Sequence, residues 1–311
     1  MPLHPAARQL IDQLESSGMP KLHQMPPPQA REMMRRMTAM TRAAPEVGSV
    51  ENRTIPGPAG DVPIRVYTPK GGSAPRPVVV FFHGGGWVIG DLETHDAPCR
   101  RLANAVPAVV VAVDYRLAPE HQFPAAPEDC YAAVRWVAAN AASVGGDPNR
   151  IAVCGDSAGG NLSAVVALMA RDRGGPRIAA QVLVYPATDL TCDSPSHVSN
   201  GKGYFLEADM MTWFIGHYVR TAADKTAPYA SPLRAKDLSG LPPAVVVTAE
   251  FDPLRDEGEA YARRLREAGV PVEMKRYDGM IHGFFSMDAL FPEAGEAMEL
   301  AAAGLRKAFG S

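Results

Sequence analysis

The stretch from Ile151 to Arg171 decides the fold, and it reads IAVCGDSAGGNLSAVVALMAR. Its first four residues are a short apolar run typical of a buried strand, and the residues from Ala158 onward have the composition of a helix. Residues 155–159 (GDSAG) match G-x-S-x-G, a strained strand-to-helix turn that lifts a serine hydroxyl clear of a sheet. A serine that only caps a helix is the alternative. Chance alone produces this pattern in roughly one such glycine-rich chain in ten, so its position between strand and helix favours the turn.

Apolar runs and helical stretches alternate on both sides of this turn. The alternation predicts an α/β fold with a mostly parallel central sheet and helices on both faces. Two earlier segments, Ser49–Ile55 and Pro63–Tyr67, alternate like antiparallel strands joined by a turn. The other predicted strands are Val78–Phe82, Ala108–Val113, Ile151–Cys154, Gln181–Tyr185, Ala244–Thr248 and Val272–Arg276, and the predicted helices are His95–Val106, Pro127–Asn140, Ala158–Arg171 and Glu257–Ala268.

Composition excludes several classes of protein. The 311 residues are 46% hydrophobic and 21% charged, which is too apolar for a disordered chain. The 31 basic and 34 acidic side chains give a net charge of -3 without charged blocks, so we expect no nucleic-acid or membrane partner. The longest apolar runs are far shorter than the roughly 18 residues that cross a bilayer.

The N-terminal sequence and the cysteine spacing together predict a cytoplasmic protein. The N-terminal residues lack the basic start and apolar centre of a secretory signal. Four cysteines occur without a CxxC pair, which argues against a disulfide framework and a zinc site. We expect reduced and mostly buried thiols, and no metal ion.

A second motif, His83-Gly84-Gly85-Gly86, follows the strand Val78–Phe82 directly. Its composition makes it a chance event in fewer than about one chain in a hundred. Acyl transfer builds negative charge on a carbonyl oxygen, and preoriented backbone N–H groups stabilise that charge. We predict that the N–H groups of Gly84, Gly85 and Ala158 form such an oxyanion hole, and that His83 is a scaffold residue. A dinucleotide-binding G-x-G-x-x-G is excluded because its third glycine would fall at Ile89.

A serine nucleophile needs a histidine base, and in this fold the base comes after the serine in the chain. Only His197, His217 and His282 follow Ser157. The first two lie in a segment without strand character, whereas His282 sits in a glycine-flanked loop after the last predicted strand. We therefore predict His282 as the base and a structural loop histidine as the alternative.

The carboxylate that orients this histidine should lie at the carboxyl edge of the sheet. Asp252 follows strand Ala244–Thr248 and meets that condition. Asp256 lies one helical turn farther on beside Arg255, where a helix-end charge or ion pair is the more natural role. Asp278 shares the histidine's own loop and is the weaker rival.

Two other carboxylate-rich positions are interpreted as structural. Arg116 and Glu120 stand at i and i+4, a spacing that suits an ion pair pinning the loop after a strand. Asp156, next to the serine, is predicted to brace the strand-to-helix turn rather than to act as a second acid.

These residues together resemble the bacterial hormone-sensitive-lipase family of α/β-hydrolase esterases. The resemblance covers about Val47 to the C-terminus. It implies Ser157, Asp252 and His282 as the triad, glycine amides as the oxyanion hole, and a helical cap. The matching motifs are HGGGW at 83–87, DYRLAPE at 114–120, GDSAGGN at 155–161, DPLRD at 252–256 and HGF at 282–284.

The breaks in the alternation divide the chain, and the resemblance implies that its two helical regions form a cap on a catalytic core. Residues 1–46 are predicted as the N-terminal helical part of the cap and residues 189–227 as the cap insertion. Residues 47–188 and 228–311 are predicted as the two parts of the catalytic α/β-hydrolase core.

The resemblance implies a serine carboxylesterase that hydrolyses small-molecule esters with short to medium acyl chains, as a monomer or homodimer, without a cofactor. An amidase or arylformamidase with the same triad is an alternative, because only the leaving group differs. A non-catalytic small-ligand receptor on the same scaffold, similar to plant gibberellin receptors, is another. Those receptors have lost the base, so His282 favours an enzyme.

Cap side chains are candidates for an apolar substrate pocket. Met33, Met37 and Met40 fall on one helix face. With Met210 and Phe214 of the insertion they could line an adaptable acyl site, and plain helix packing is the alternative.

Overall fold

The computed structural model describes residues 2–39 and 44–310, and a single eight-stranded sheet runs through the described part. The strands are β1 Ser49–Gly57, β2 Gly60–Thr68, β3 Arg76–Phe82, β4 Val109–Val113, β5 Gly146–Asp156, β6 Gln181–Val184, β7 Ala244–Phe251 and β8 Val272–Ile281. The α-helices are α1 Pro5–Ser16, α2 Pro27–Ala39, α3 Asp96–Ala105, α4 Ala125–Asn140, α5 Ala158–Asp172, α6 Pro195–Ser199, α7 Ala208–Tyr218, α8 Arg255–Glu267 and α9 Pro292–Phe309.

The sheet is mostly parallel, as the alternation predicts. The strand order is β1-β2-β4-β3-β5-β6-β7-β8. β1 pairs with β2 and β2 with β4 in antiparallel fashion, and the remaining neighbours are parallel. The valine-rich β3 and β4 are buried because helices cover both faces of the central strands. The carboxyl ends of the parallel strands meet at one edge, where the loops that carry candidate site residues converge.

The last strand is longer than predicted. β8 reaches Ile281 instead of ending at Arg276, because β7 shifts its register between Ala249 and Phe251 and the pairing resumes at Ile281. His282 therefore follows the strand directly. The long helix α9 lies outside the predicted elements.

The N-terminal region and the segment between β6 and β7 are helical, in agreement with the sequence pattern. Lys21 forms an ion pair with Glu207 just before α7, so the two regions meet. Met34 is the methionine of α2 that packs against the buried core, whereas Met37 is 37% exposed. Met40 lies outside the described residues.

The predicted ion pair between Arg116 and Glu120 is wrong. Arg116 instead donates two hydrogen bonds to the buried Asp129, from Nε to Oδ2 at 2.8 Å and from Nη2 to Oδ1 at 2.7 Å. Glu120 binds Arg31 of α2. The i, i+4 spacing brings side chains together only on a helix, and this segment is a loop.

The cysteines are free thiols. Cys99, Cys130 and Cys154 are buried, and burial raises the pKa of each of these thiols. Cys192 is half-buried. In the described part of the chain, no helix combines the length and the apolar character that a membrane span requires.

Candidate active site

Ser157 occupies the turn between β5 and α5. Its backbone has φ 55° and ψ −116°, a strained conformation for a residue with a side chain. Its N–H donates to the carbonyl of Val184 at 2.8 Å, which anchors the turn to β6. The chain crosses β3 so closely that a Cβ at position 159 would lie 1.9 Å from the Phe82 carbonyl oxygen. Only glycine fits there, which explains the second glycine of the motif.

Three side chains from distant parts of the chain meet above this turn. His282 Nε2 lies 2.9 Å from Ser157 Oγ, and His282 Nδ1 lies 2.7 Å from Asp252 Oδ2. Asp252 is fully buried, and its other carboxylate oxygen accepts from the N–H of Leu254 at 2.8 Å. A carboxylate can only accept from Nδ1–H, so Nε2 is left to accept from the serine hydroxyl. The arrangement can take a proton from Ser157.

The rival residues are engaged elsewhere. Asp256 Oδ1 accepts from Arg255 Nε at 2.8 Å, the ion pair expected from their positions. His197 Nε2 lies 3.1 Å from the buried Glu257 Oε2. Burial opposes the charge on His197, but Cys192 and Glu257 outweigh it and raise the pKa of His197 to about 10. His197 Nε2 is therefore engaged by Glu257 and is not available to Ser157.

The segment containing α6 holds the Asp252 loop from outside, a feature that the sequence motifs did not reveal. Asn200 Nδ2 donates to the backbone carbonyls of Glu250 at 3.0 Å and Asp252 at 3.1 Å. Ser196 Oγ donates to the carbonyl of Pro253 at 2.6 Å. These bonds fix the loop backbone and therefore the direction of the carboxylate.

Tyr185 packs against His282, a contact that the sequence motifs do not indicate. Its ring centroid lies 4.5 Å from that of His282, and its backbone has φ 34°. The sequence contains no signal for this role, because Tyr185 looks like the last residue of a buried strand. The contact limits rotation of the imidazole.

The glycine loop after β3 departs from the prediction at one position. The N–H of Gly84 donates to Asp156 Oδ1 at 3.0 Å and also faces His95 Nε2 at 3.3 Å. The prediction of Gly84 as an oxyanion donor is therefore wrong, since its amide is turned towards a buried carboxylate. Within the described residues, the amides of Gly85 and Gly86 have no hydrogen-bond acceptor. Ala158 begins α5, where amides lack partners within the helix.

Peptide planarity shows how the two free amides are oriented. His83 Nδ1 lies 2.8 Å from the carbonyl oxygen of Gly84, which orients the Gly84–Gly85 peptide and its N–H. The carbonyl of Gly85 accepts from the amides of Val88 at 3.1 Å and Ile89 at 2.9 Å, which orients the Gly85–Gly86 peptide in the same way.

His83 is held in the glycine loop by Tyr115. Its ring stacks on Tyr115 at 4.3 Å, and the Tyr115 hydroxyl donates to the His83 carbonyl at 2.7 Å. Burial, followed by the neighbouring His95, lowers the pKa of His83 to about 4. The ring is therefore neutral at pH 7, and its Nδ1–H can donate to Gly84.

Asp156 connects the end of β5 to the glycine loop after β3. Burial alone would raise the pKa of Asp156, but His95, with smaller contributions from His83 and His282, outweighs burial and keeps the pKa below its usual range. The ionised carboxylate accepts from Gly84, and a Cβ on that glycine would lie 2.4 Å from Asp156 Oδ2. The first glycine of the loop is therefore required by close approach to this carboxylate.

The candidate pocket residues have different surroundings. Phe214 of α7 is buried and lies on Gly86, where a Cβ would be 2.2 Å from its ring. Met210 is half-buried one turn away on the same helix. Met33 is half-buried on α2, and Met37 is exposed. Phe214 thus borders the glycine loop directly.

Comparison with known proteins identifies the family. A family model described as the alpha/beta hydrolase fold matches residues 79–286. The chain belongs to the α/β-hydrolases, in the hormone-sensitive-lipase family that the sequence motifs resemble.

Similar proteins are esterases. Carboxylesterase NlhH of Mycobacterium tuberculosis is 46% identical over 284 residues, which cover 90% of this chain and 88% of that protein. An arylesterase of Saccharolobus solfataricus is 40% identical over 285 residues, covering 91% and 92%. The structure of a hyperthermophilic esterase from Pyrobaculum calidifontis superposes with a TM-score of 0.94 at 48% identity, covering 99% of each chain. The chain is a carboxylic ester hydrolase.

Proposed function

We propose that this enzyme hydrolyses esters through an acyl-enzyme formed on Ser157, with His282 as base and Asp252 as its orienting carboxylate. The observation that carries the proposal is the continuous contact from Asp252 Oδ2 to His282 Nδ1 at 2.7 Å and from His282 Nε2 to Ser157 Oγ at 2.9 Å. His282 takes the hydroxyl proton as Oγ attacks the ester carbonyl. It then returns the proton to the leaving alcohol, and water repeats the cycle on the acyl-enzyme.

The oxyanion of each tetrahedral intermediate is assigned to the amides of Gly85, Gly86 and Ala158. Gly86 replaces Gly84 because the Gly84 amide donates to Asp156. The loss of one such donor typically lowers turnover about 100- to 1,000-fold. Their orientation is set before substrate binds, so no reorganisation accompanies the reaction.

The substrates proposed are esters of short to medium acyl chains, with Phe214 and Met210 bordering the acyl group. Similarity to an ethyl acetate hydrolase of Pseudomonas putida, which is 39% identical over 255 residues, supports small esters as substrates. The half-buried, flexible Met210 would adapt to chains of different length.

The nucleophile is tested by Ser157→Ala, measured with a chromogenic short-chain ester. We expect kcat to fall at least about 1,000-fold while the far-UV spectrum and melting temperature remain close to those of the parent. Ser163→Ala on the same helix is the matched control, because among the described residues the Ser163 hydroxyl donates to the Gly159 carbonyl at 2.9 Å and has no contact with His282. Turnover by Ser157→Ala within tenfold of the parent would refute the mechanism.

If His282 is the base, kcat/KM should depend on pH. Protonated His282 cannot accept the proton of Ser157, so kcat/KM should fall on acidification. A profile that stays flat from about pH 5 to about pH 9 would contradict a histidine base.

A further inference from the structure

Helix α2 is bonded to the turn that follows the oxyanion glycines. Arg31 Nε donates to the carbonyl of Val88 at 2.7 Å, and Arg31 Nη2 donates to the carbonyl of Ala118 at 2.9 Å. One turn later, Arg35 forms an ion pair with Asp91. Two arginines of the N-terminal region therefore hold residues 88–91 from the same side.

The Arg31 guanidinium is itself fixed in place. Glu120 accepts from Nη1 at 2.9 Å and from Nη2 at 2.6 Å, a bidentate pair that sets the plane of the group. The hydrogen bond with Arg31 lowers the pKa of Glu120, so the carboxylate stays ionised. The Arg31 side chain is only 20% exposed. Its contacts with two backbone carbonyls distinguish it from an ordinary surface ion pair.

The Arg31 hydrogen bonds influence the orientation of the Gly86 amide through two intervening peptide planes. In a trans peptide the carbonyl and the following N–H point in opposite directions. When Arg31 holds the carbonyl of Val88, the N–H of Ile89 is directed to the carbonyl of Gly85, 2.9 Å away. That carbonyl shares its plane with the N–H of Gly86, so the orientation of the Gly86 amide depends on Arg31.

We infer that Arg31 is a positioning residue of the oxyanion hole. It acts through the Val88–Ile89 and Gly85–Gly86 peptides and makes the N-terminal helix part of the catalytic apparatus. The inference rests on the proposed role of the Gly86 amide. The triad distances do not involve Arg31, so base and nucleophile remain assembled when it is removed.

The test compares Arg31→Ala with Arg36→Ala in steady-state ester hydrolysis. Arg36 is the matched control, because it lies on the same helix, pairs only with Glu32 at 2.8 Å among the described contacts, and is 74% exposed. We expect Arg31→Ala to lower kcat about tenfold or more with KM within about twofold, since a misaimed donor acts in the transition state. Arg36→Ala should leave both constants unchanged. If α2 is merely a pocket wall, Arg31→Ala would raise KM and leave kcat intact, which overturns the inference.

A second measurement separates positioning from general destabilisation. A trifluoromethyl ketone adds to the serine and presents an oxyanion, so Arg31→Ala should weaken its binding by the same factor as kcat. Guanidinium chloride, at concentrations far below those that unfold proteins, should partly restore kcat in Arg31→Ala and have no effect on Arg36→Ala. Absence of both the parallel loss and the rescue would refute the inference.

Arg31→Lys keeps the test valid if the alanine variant fails to fold. Lysine retains the charge but lacks the planar fork that spans two carbonyls and a carboxylate. The same kcat defect is therefore expected, and an unchanged kcat would contradict the inference. Failure of the proposed mechanism would appear differently, as turnover that survives Ser157→Ala in the parent enzyme.

Discussion

Asp252 and Asp256 illustrate how chemistry depends on the surroundings of single residues. Both are aspartates four residues apart near the start of α8. Asp252 is fully buried against His282, whereas Asp256 is bonded to the guanidinium of Arg255. Their position in the chain favours Asp252, and the contacts explain why only that carboxylate can orient the imidazole.

Asp252→Asn should lower kcat about 10,000-fold, because an amide can stabilise the wrong imidazole tautomer and cannot stabilise the imidazolium. The measurement is kcat for a chromogenic ester near neutral pH. Asp256→Asn is the control, and its kcat should remain within about threefold of the parent. Equal losses in the two variants would count against the assigned triad.

At the level of one element, burial at the end of β4 changes the pKa of a carboxyl group. Asp114 directly follows this buried strand, and burial together with nearby Asp91 raises the pKa of Asp114 to about 6. Arg35 and Arg65 act in the opposite direction without cancelling this rise. Because the unfolded pKa is about 3.9, the folded protein binds this proton more tightly, and ionisation costs stability as pH rises from about 4 to about 6.

Asp114→Asn removes that cost, so it should stabilise the protein by about 1 to 2 kcal/mol at pH 8 and by much less near pH 4. Urea unfolding at the two pH values measures the difference. Asp61→Asn, at an exposed position of β2, is the comparison and should show no such pH-dependent gain. A gain that is equal at both pH values would show that ionisation of Asp114 is not its cause.

At the level of the whole molecule, the helical regions converge on one loop. α7 places Phe214 on Gly86, and α2 bonds the turn after it through Arg31. The contacts on the proposed oxyanion loop thus come from parts of the chain more than a hundred residues apart. Acyl-chain preference should therefore respond to Phe214 of α7, and turnover to Arg31 of α2.

Phe214→Ala should shift the preferred acyl chain towards longer esters, because it opens space beside Gly86. The ratio of kcat/KM values across a series of nitrophenyl esters measures this preference. Val198→Ala is the control, since Val198 belongs to the same insertion and is 89% exposed. An unchanged profile in Phe214→Ala would remove it from the acyl pocket.

Much of the fold, and the three side chains that meet in the candidate site, could be predicted from the sequence because the signals are local or follow the chain order. Strand and helix periodicity indicates the sheet, and the chain order of Ser157, Asp252 and His282 limits the choices at its carboxyl edge. The predicted ion pair between Arg116 and Glu120 is wrong because spacing alone does not specify a helix. The prediction of Gly84 as an oxyanion donor is wrong because the partner of its amide, Asp156, comes from another strand.

Local pattern therefore determined the order of the elements, the strand-to-helix turn at Ser157 and the choice of the three side chains that we propose as the triad. Tertiary structure alone decided which amides remain free among the described residues, that Tyr185 packs against the imidazole and that Arg31 bonds the turn after the glycine loop. The reason is physical. A hydrogen bond between residues far apart in the chain depends on the positions of both partners, and periodicity describes only one of them at a time.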